Sequence, residues 1–184
     1  GKKILKIERR AKNIFIFLDG GLILLIHLKM TGHLLVGKWE IERRQGKETI
    51  IPVEPREVVE DPYNKYIHFI FYLDPVRSRS PQGGRSHSLK ARAASNGVDN
   101  GRMLGFSDLR KFGKMILGTQ EQINNLSEIK KLGPEPLDPS FKVDKFVSLI
   151  SSKKGKIKQV LMDQEVIAGI GNIYSDEILW QAKI

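Results

Sequence analysis

The stretch Asp163–Ile184, DQEVIAGIGNIYSDEILWQAKI, decides how this chain reads. Its spacing predicts a tight turn between two short helices. Upstream, Ile157, Val160 and Leu161 recur at i, i+3 and i+4, which is one face of a helix. Downstream, Tyr174, Ile178 and Ala182 recur at i, i+4 and i+8, a second such face. Between them, Gly169 and Gly171 permit backbone angles that other residues resist. Asn172 reads as an N-cap, with Asp176 and Glu177 early in the helix, where the macrodipole favours acids. A helix start fed by a glycine turn presents N–H groups that suit a phosphate. Lys154 and Lys158, one turn apart on the first helix, would add positive charge beside it. The same spacing also fits a helical hairpin with a glycine turn and no ligand.

Composition narrows the partners. The chain has 184 residues, 40% of them hydrophobic, and a net charge of +10. That size allows one large domain or two small ones. That charge favours a polyanion, either nucleic acid or an acidic membrane surface. No apolar run approaches the ~20 residues a membrane-spanning helix needs. The longest, Leu22–Ile26, is strand-sized, and no signal peptide is visible. With no cysteine there is neither a disulfide framework nor a cysteine zinc site. An intracellular protein is the simplest reading. The chain opens in mid-pattern at Gly1-Lys2-Lys3 and stops at Ile184 directly after a helix, as expected of a piece lacking both ends of a longer protein.

Strands are expected first and helices last. Lys3–Arg10 and Asn13–Leu18 alternate as strands, Asp19-Gly20-Gly21 is a hairpin-type turn, and Leu22–Leu28 is a largely buried strand. His33–Val36 continues the sheet beyond Gly32. Trp39–Tyr63 is charged and carries Pro52, Pro55 and Pro62, so it reads as an irregular connection with one short strand near Thr49–Val53. Tyr66–Leu73, Gly101–Phe106 and Lys114–Leu117 complete the strands. Residues 75–99 are rich in Arg, Ser, Gly and Ala with almost no large apolar side chains, the signature of a disordered insertion. Without them, Asp74 would meet Asn100-Gly101 in a plain hairpin turn. The segment carries five Arg or Lys against one Asp. It is either a tolerated insertion or a basic DNA-binding arm. Gln120–Leu126 is a helix, Leu132–Ser140 a proline-rich linker, and Val143, Phe146, Val147 and Ile150 show helical spacing. The expected fold class is α+β: a β-rich, sandwich-like and incomplete N-terminal part, then a helical part. The domain division is 1–118, then helix and linker 119–140, then 141–184.

Five motifs, in order, carry a family resemblance: RRAK (Arg9–Lys12), HLKMTGHL (His27–Leu34), DLRKFG (Asp108–Gly113), LGPEPL (Leu132–Leu137) and the opening stretch. Together they resemble the formamidopyrimidine-DNA glycosylase and endonuclease VIII family, whose signature is a helix–two-turn–helix motif. The resemblance implies base-excision repair of damaged double-stranded DNA by a bifunctional glycosylase and abasic-site lyase. Its substrates would be oxidised bases such as formamidopyrimidines and oxidised guanine. It implies a monomer in the cytoplasm, associated with the nucleoid rather than a membrane. Such an enzyme extrudes the damaged nucleotide and fills the gap. By resemblance the gap-filling side chains are Met30, Arg110 and Phe112. Lys12 matches a lysine that contacts phosphate and takes part in elimination. Lys154, Lys158 and Asn172 match DNA-gripping positions. Leu109 stands where proline is usual and Lys29 where glycine is common, which adds a charge near the wedge. His27 and His33 read as structural or surface residues, and Tyr66 stands where a DNA-contacting histidine is usual.

The family's nucleophile is an N-terminal proline followed by glutamate, whose secondary amine forms a Schiff base with the sugar. This sequence does not begin so, and the chain as given is expected to bind damaged DNA without the chemistry. No metal site is expected here; one zinc ion is implied for a C-terminal finger of the full-length parent. The alternative is a non-catalytic nucleic-acid-binding protein that keeps the helix–two-turn–helix motif.

Overall fold

A computed structural model describes residues 1–73 and 101–184. The expected disorder of residues 75–99 falls outside the described residues. Antiparallel sheets come first and most helices last, as α+β requires. The chain divides into two compact units, one of Gly1–Met30 with Phe112–Ile184 and the other of Thr31–Lys111.

In the first unit, β1 (Ile4–Arg10), β2 (Asn13–Leu18), β3 (Leu22–His27) and β8 (Lys114–Thr119) form an antiparallel sheet in the order β1-β2-β3-β8. Register follows from alternation. Phe15 pairs Leu25 and Phe17 pairs Ile23, so all four share one face of the sheet. Two short helices, α2 (Gln120–Asn124) and α3 (Ser127–Lys130), bury Ile123 and Ile129 against Phe15, Ile23 and Leu25. A capping box starts α2: Thr119 accepts from the Gln122 N–H while Gln122 accepts from the Thr119 N–H.

The unit's second core is helical. It joins α4 (Val143–Ser151), α5 (Ile157–Met162) and α6 (Asn172–Gln181). Val160, Leu161, Val166, Ile167 and Ile170 are buried there, with Phe146, Ile150 and Leu179 packed against them. The predicted face of α5 is therefore the core face. That of α6 is not: Tyr174 and Ile178 point outward, while Ser175 is fully buried and Leu179 packs inward. A small serine at that crossing lets the helices approach, and its Oγ donates to the Asn172 carbonyl at 2.8 Å.

In the second unit, β4 (Gly32–Arg44), β5 (Lys47–Glu54), β6 (Ile67–Leu73) and β7 (Arg102–Asp108) form a sheet in the order β5-β4-β7-β6. The connection expected over Trp39–Tyr63 is mostly a long β4–β5 hairpin. Its turn has left-handed Gln45 and Gly46, with φ of 50° and 76°. Alternation in Trp39-Glu40-Ile41-Glu42 carries the strand despite its charge, and Pro52 is tolerated because β5 is an edge strand. The helix α1 (Arg56–Val59) and a 3-10 turn (Pro62–Tyr66) follow. Leu73 pairs with Arg102 at one end of the antiparallel β6–β7 pair. Buried Trp39 donates through Nε1 to Asn64 Oδ1 at 2.8 Å.

Candidate nucleic-acid interface

The site in the first unit is built around the two residues that join β1 to β2. Arg10 pairs Asn13, leaving Ala11 and Lys12 as the turn. Ala11 is buried with φ of 53°, a left-handed conformation that an alanine adopts only when its surroundings hold it. Glu135, from the LGPEPL segment, supplies that hold. One carboxylate oxygen accepts from the Ala11 N–H at 2.5 Å and the other from Arg9 Nη2 at 2.8 Å. Arg9 Nη1 in turn donates to the Ala11 carbonyl at 2.7 Å. Lys12 leaves this turn toward the start of α6, where its Nζ lies 3.1 Å from where a Cβ on residue 171 would sit. Glycine at 171 keeps that approach open.

The glycine turn itself is pinned by Gln164. Its side chain donates to the Met162 and Ile170 carbonyls and accepts from the Gly169 N–H, each at 2.8 Å. Gly169 has φ of 98°, which a side chain resists. The Gln164 carbonyl accepts from Gly133, and the Pro134 carbonyl from Ala168, so LGPEPL is stitched to the turn on one side and to Ala11 on the other. The first turn of α6 has no upstream carbonyls of its own, and its first intrahelical bond runs from the Ser175 N–H to the Gly171 carbonyl. The helix starts with Asn172 as its first residue and Gly171 as the cap, so Asn172 is not the N-cap its sequence suggested. Its side chain is exposed. With the dipole of a ten-residue helix behind it, this end attracts an anion.

A concavity of about 200 Å³ beside Lys12 is lined by Asn13, His27, Lys29, Lys131 and Gln164 among others. Burial and the neighbouring Lys29 lower the Lys12 pKa below its ordinary value. Burial, Lys29 and Lys12 lower that of His27. Its Nδ1 accepts from the Lys29 N–H at 2.9 Å, which only an unprotonated nitrogen can do. That assigns the remaining proton to Nε2. Sequence reasoning treated His27 as structural; the structure places it in the same concavity as Lys12. Its place two residues past Leu25, on the alternating face of β3 that also carries Ile23, was the available signal.

Other expected site residues are placed as follows. Met30 and Phe112 are exposed by 74% and 54%, and each follows a left-handed lysine, Lys29 or Lys111. Both lie in the first unit, whereas Arg110 lies in the second. There, buried Asp108 holds the loop: its Oδ1 accepts from Thr31 Oγ at 2.5 Å and from the Arg110 N–H at 3.2 Å. Lys154 is not on the first helix. That helix begins at Ile157, after Gly155 at φ of 137°, so Lys154 sits on the preceding loop. Lys158 is on α5 and pairs with Asp176 of α6 at 2.6 Å. For zinc, the residues here do not fit. The sequence has no cysteine, and no group of three potential ligands exists among the described residues.

Comparisons with known proteins bear on the family and the fold. The family model described as formamidopyrimidine-DNA glycosylase N-terminal domain matches residues 1–115, and the one for its H2TH domain matches residues 132–184. Formamidopyrimidine-DNA glycosylases of Herpetosiphon aurantiacus and Desulforamulus reducens are 34% and 32% identical over 100% and 97% of this chain. The alignments cover 50% and 48% of those relatives, so the chain spans about half their length. The Lactococcus lactis enzyme bound to DNA containing an abasic site superposes with a TM-score of 0.66 at 27% identity, over 100% of this chain and 51% of that one. Its complex with DNA containing FAPY-dG gives the same score and identity over 100% and 52%. Two domain matches in the right order, on a fold shared with solved glycosylases, establish that the chain belongs to the formamidopyrimidine-DNA glycosylase family.

Proposed function

We propose that this chain supplies the DNA grip and gap-filling residues of a base-excision repair glycosylase acting on damaged duplex DNA. The whole protein removes oxidised bases such as formamidopyrimidines and oxidised guanine, and cleaves at the resulting abasic site. In sequence, residues 1–118 supply the β-rich, catalytic-type part, 119–140 the helix and linker, and 141–184 the helix–two-turn–helix part, while in space Gly1–Met30 pack in one unit with Phe112–Ile184. One observation carries the reading: Lys12 Nζ lies at the N-terminus of α6, so an ammonium stands beside the unpaired backbone N–H groups of a helix start, a combination that suits a phosphate. The damaged DNA in the solved relatives' complexes supports damaged DNA as the partner.

Roles follow from chemistry. Lys12 and Asn172 bind a backbone phosphate, with Lys154 and Lys158 adding positive charge along the strand. Exposed Met30 and Phe112 are apolar wedges for the gap left by an extruded nucleotide, and Arg110 donates to the orphaned partner base. A lysine whose pKa is depressed yields its proton more readily than an ordinary one, which suits Lys12 to proton transfer during elimination. Zinc enters no step carried by these residues.

The test is fluorescence-anisotropy titration with two duplexes, one intact and one with a non-cleavable abasic analogue, at two salt concentrations. A preference for the abasic duplex that persists at the higher salt supports the reading. Equal binding that vanishes with salt leaves only a basic surface and sinks it. Lys12→Ala should weaken both duplexes roughly tenfold, the scale of one charge-assisted bond. Met30→Ala or Phe112→Ala should erase the preference; equal losses on both duplexes would overturn their assignment.

A further inference from the structure

We propose that Glu135 is a positioning residue: by accepting from the Ala11 N–H and from Arg9, it fixes the turn that aims Lys12 at the start of α6. This rests on the DNA-phosphate reading of Lys12. Glu135 is far in sequence from the turn it holds, and its carboxylate is mostly buried. Both its oxygens are used, one on the backbone and one on the guanidinium. The turn needs an external hold because Ala11 is left-handed and buried and, as a turn residue outside the strand register, donates its N–H to Glu135 rather than to a strand partner. The same LGPEPL segment is bonded to the glycine turn through Gly133–Gln164 and Ala168–Pro134. Glu135 thus ties the base of Lys12 and the target of Lys12 to one strip of backbone. The short approach of Nζ to Gly171 is the consequence.

Glu135→Gln keeps an acceptor for the Ala11 N–H and loses the charge toward Arg9. Glu135→Ala loses both. Expected affinities for the abasic duplex are a loss of roughly tenfold for Glu135→Ala, matching Lys12→Ala, and a smaller loss for Glu135→Gln. In the double variant Lys12→Ala/Glu135→Ala the two losses should not add, because one acts through the other. Additive losses, or a Glu135→Ala chain that binds as tightly as the parent, overturn the proposal. If Lys12→Ala alone leaves binding unchanged, it is the phosphate reading that fails instead.

A second measurement needs no DNA. The Lys12 amine, followed by NMR as its 13C-dimethyl derivative, should titrate at higher pH in Glu135→Ala than in the parent, as the ammonium swings away from Lys29 into water. Deleting a carboxylate acts electrostatically in the opposite sense, so a rise reports movement. An unchanged or lower titration point in a chain that still melts cooperatively overturns the proposal.

Discussion

Lys29 holds a left-handed φ of 54° and keeps a second cation beside Lys12. Lys29→Gly should relieve the backbone and stabilise the chain by about 0.5–1 kcal/mol, read by urea denaturation. The same change should raise the titration points of Lys12 and His27, since a neighbouring positive charge lowers both. His27 also sets a pH dependence of folding. Its folded pKa lies below the unfolded value of 6.5, so the unfolded chain binds the proton first as pH falls. Its contribution is present above 6.5 and is lost as pH falls through the folded value. The melting temperature of the parent should therefore fall as pH drops below 6.5, and His27→Gln should flatten that fall. An identical slope in both chains would remove His27 as the cause. Little of this was legible from the histidine in HLKMTGHL: Lys29 stands in the motif, but the largest cause is burial, followed after Lys29 by Lys12 from the neighbouring strand turn, and neither is visible in the motif itself.

At the level of elements, the helix–two-turn–helix motif was readable where apolar spacing alone decides packing, as on α5. It was misread where a small residue does. Ser175 is the inward residue of α6, yet periodicity favoured the larger Tyr174 and Ile178. Lys154 was placed on α5 because Gly155, a residue that often ends or interrupts helices, was not read as the break; its φ of 137° marks it as one. The β4–β5 hairpin was hidden by its charges, whose alternation with Trp39 and Ile41 is the true strand signal. The motif's junction with LGPEPL makes a sharp prediction. A Cβ on Gly133 would lie 2.6–2.8 Å from backbone atoms of Val166 and Glu165. Gly133→Ala must push two backbones apart and should destabilise by about 1–3 kcal/mol. Ile123→Ala, which empties a fully buried site between the first sheet and α2, should cost about 2–5 kcal/mol. Denaturant titration of both variants checks the order of the two effects.

For the whole molecule, the governing quantity is a charge of +10, of which residues 75–99 supply a net +4. DNA affinity should fall steeply with salt as condensed counterions are released. Deleting residues 75–99 should make that fall shallower while leaving the preference for an abasic duplex intact; loss of the preference would move lesion reading into the deleted segment. The gross α+β order was visible in the sequence, but the interleaving of the two units was not, because strand pairing over such separations leaves no local pattern. Strand β3 pairs with β8, Leu22 opposite Thr119, while the whole second unit is threaded between them. During synthesis this has a direct effect. When β3 leaves the ribosome its partner does not yet exist, and the Leu22–His27 edge waits open until another ninety or so residues have been added. Sheet β5-β4-β7-β6, complete by Asp108, closes first. Within these residues the inner unit can therefore close before the outer one, and the proposed phosphate-binding end of α6 is made only after both sheets have been synthesised.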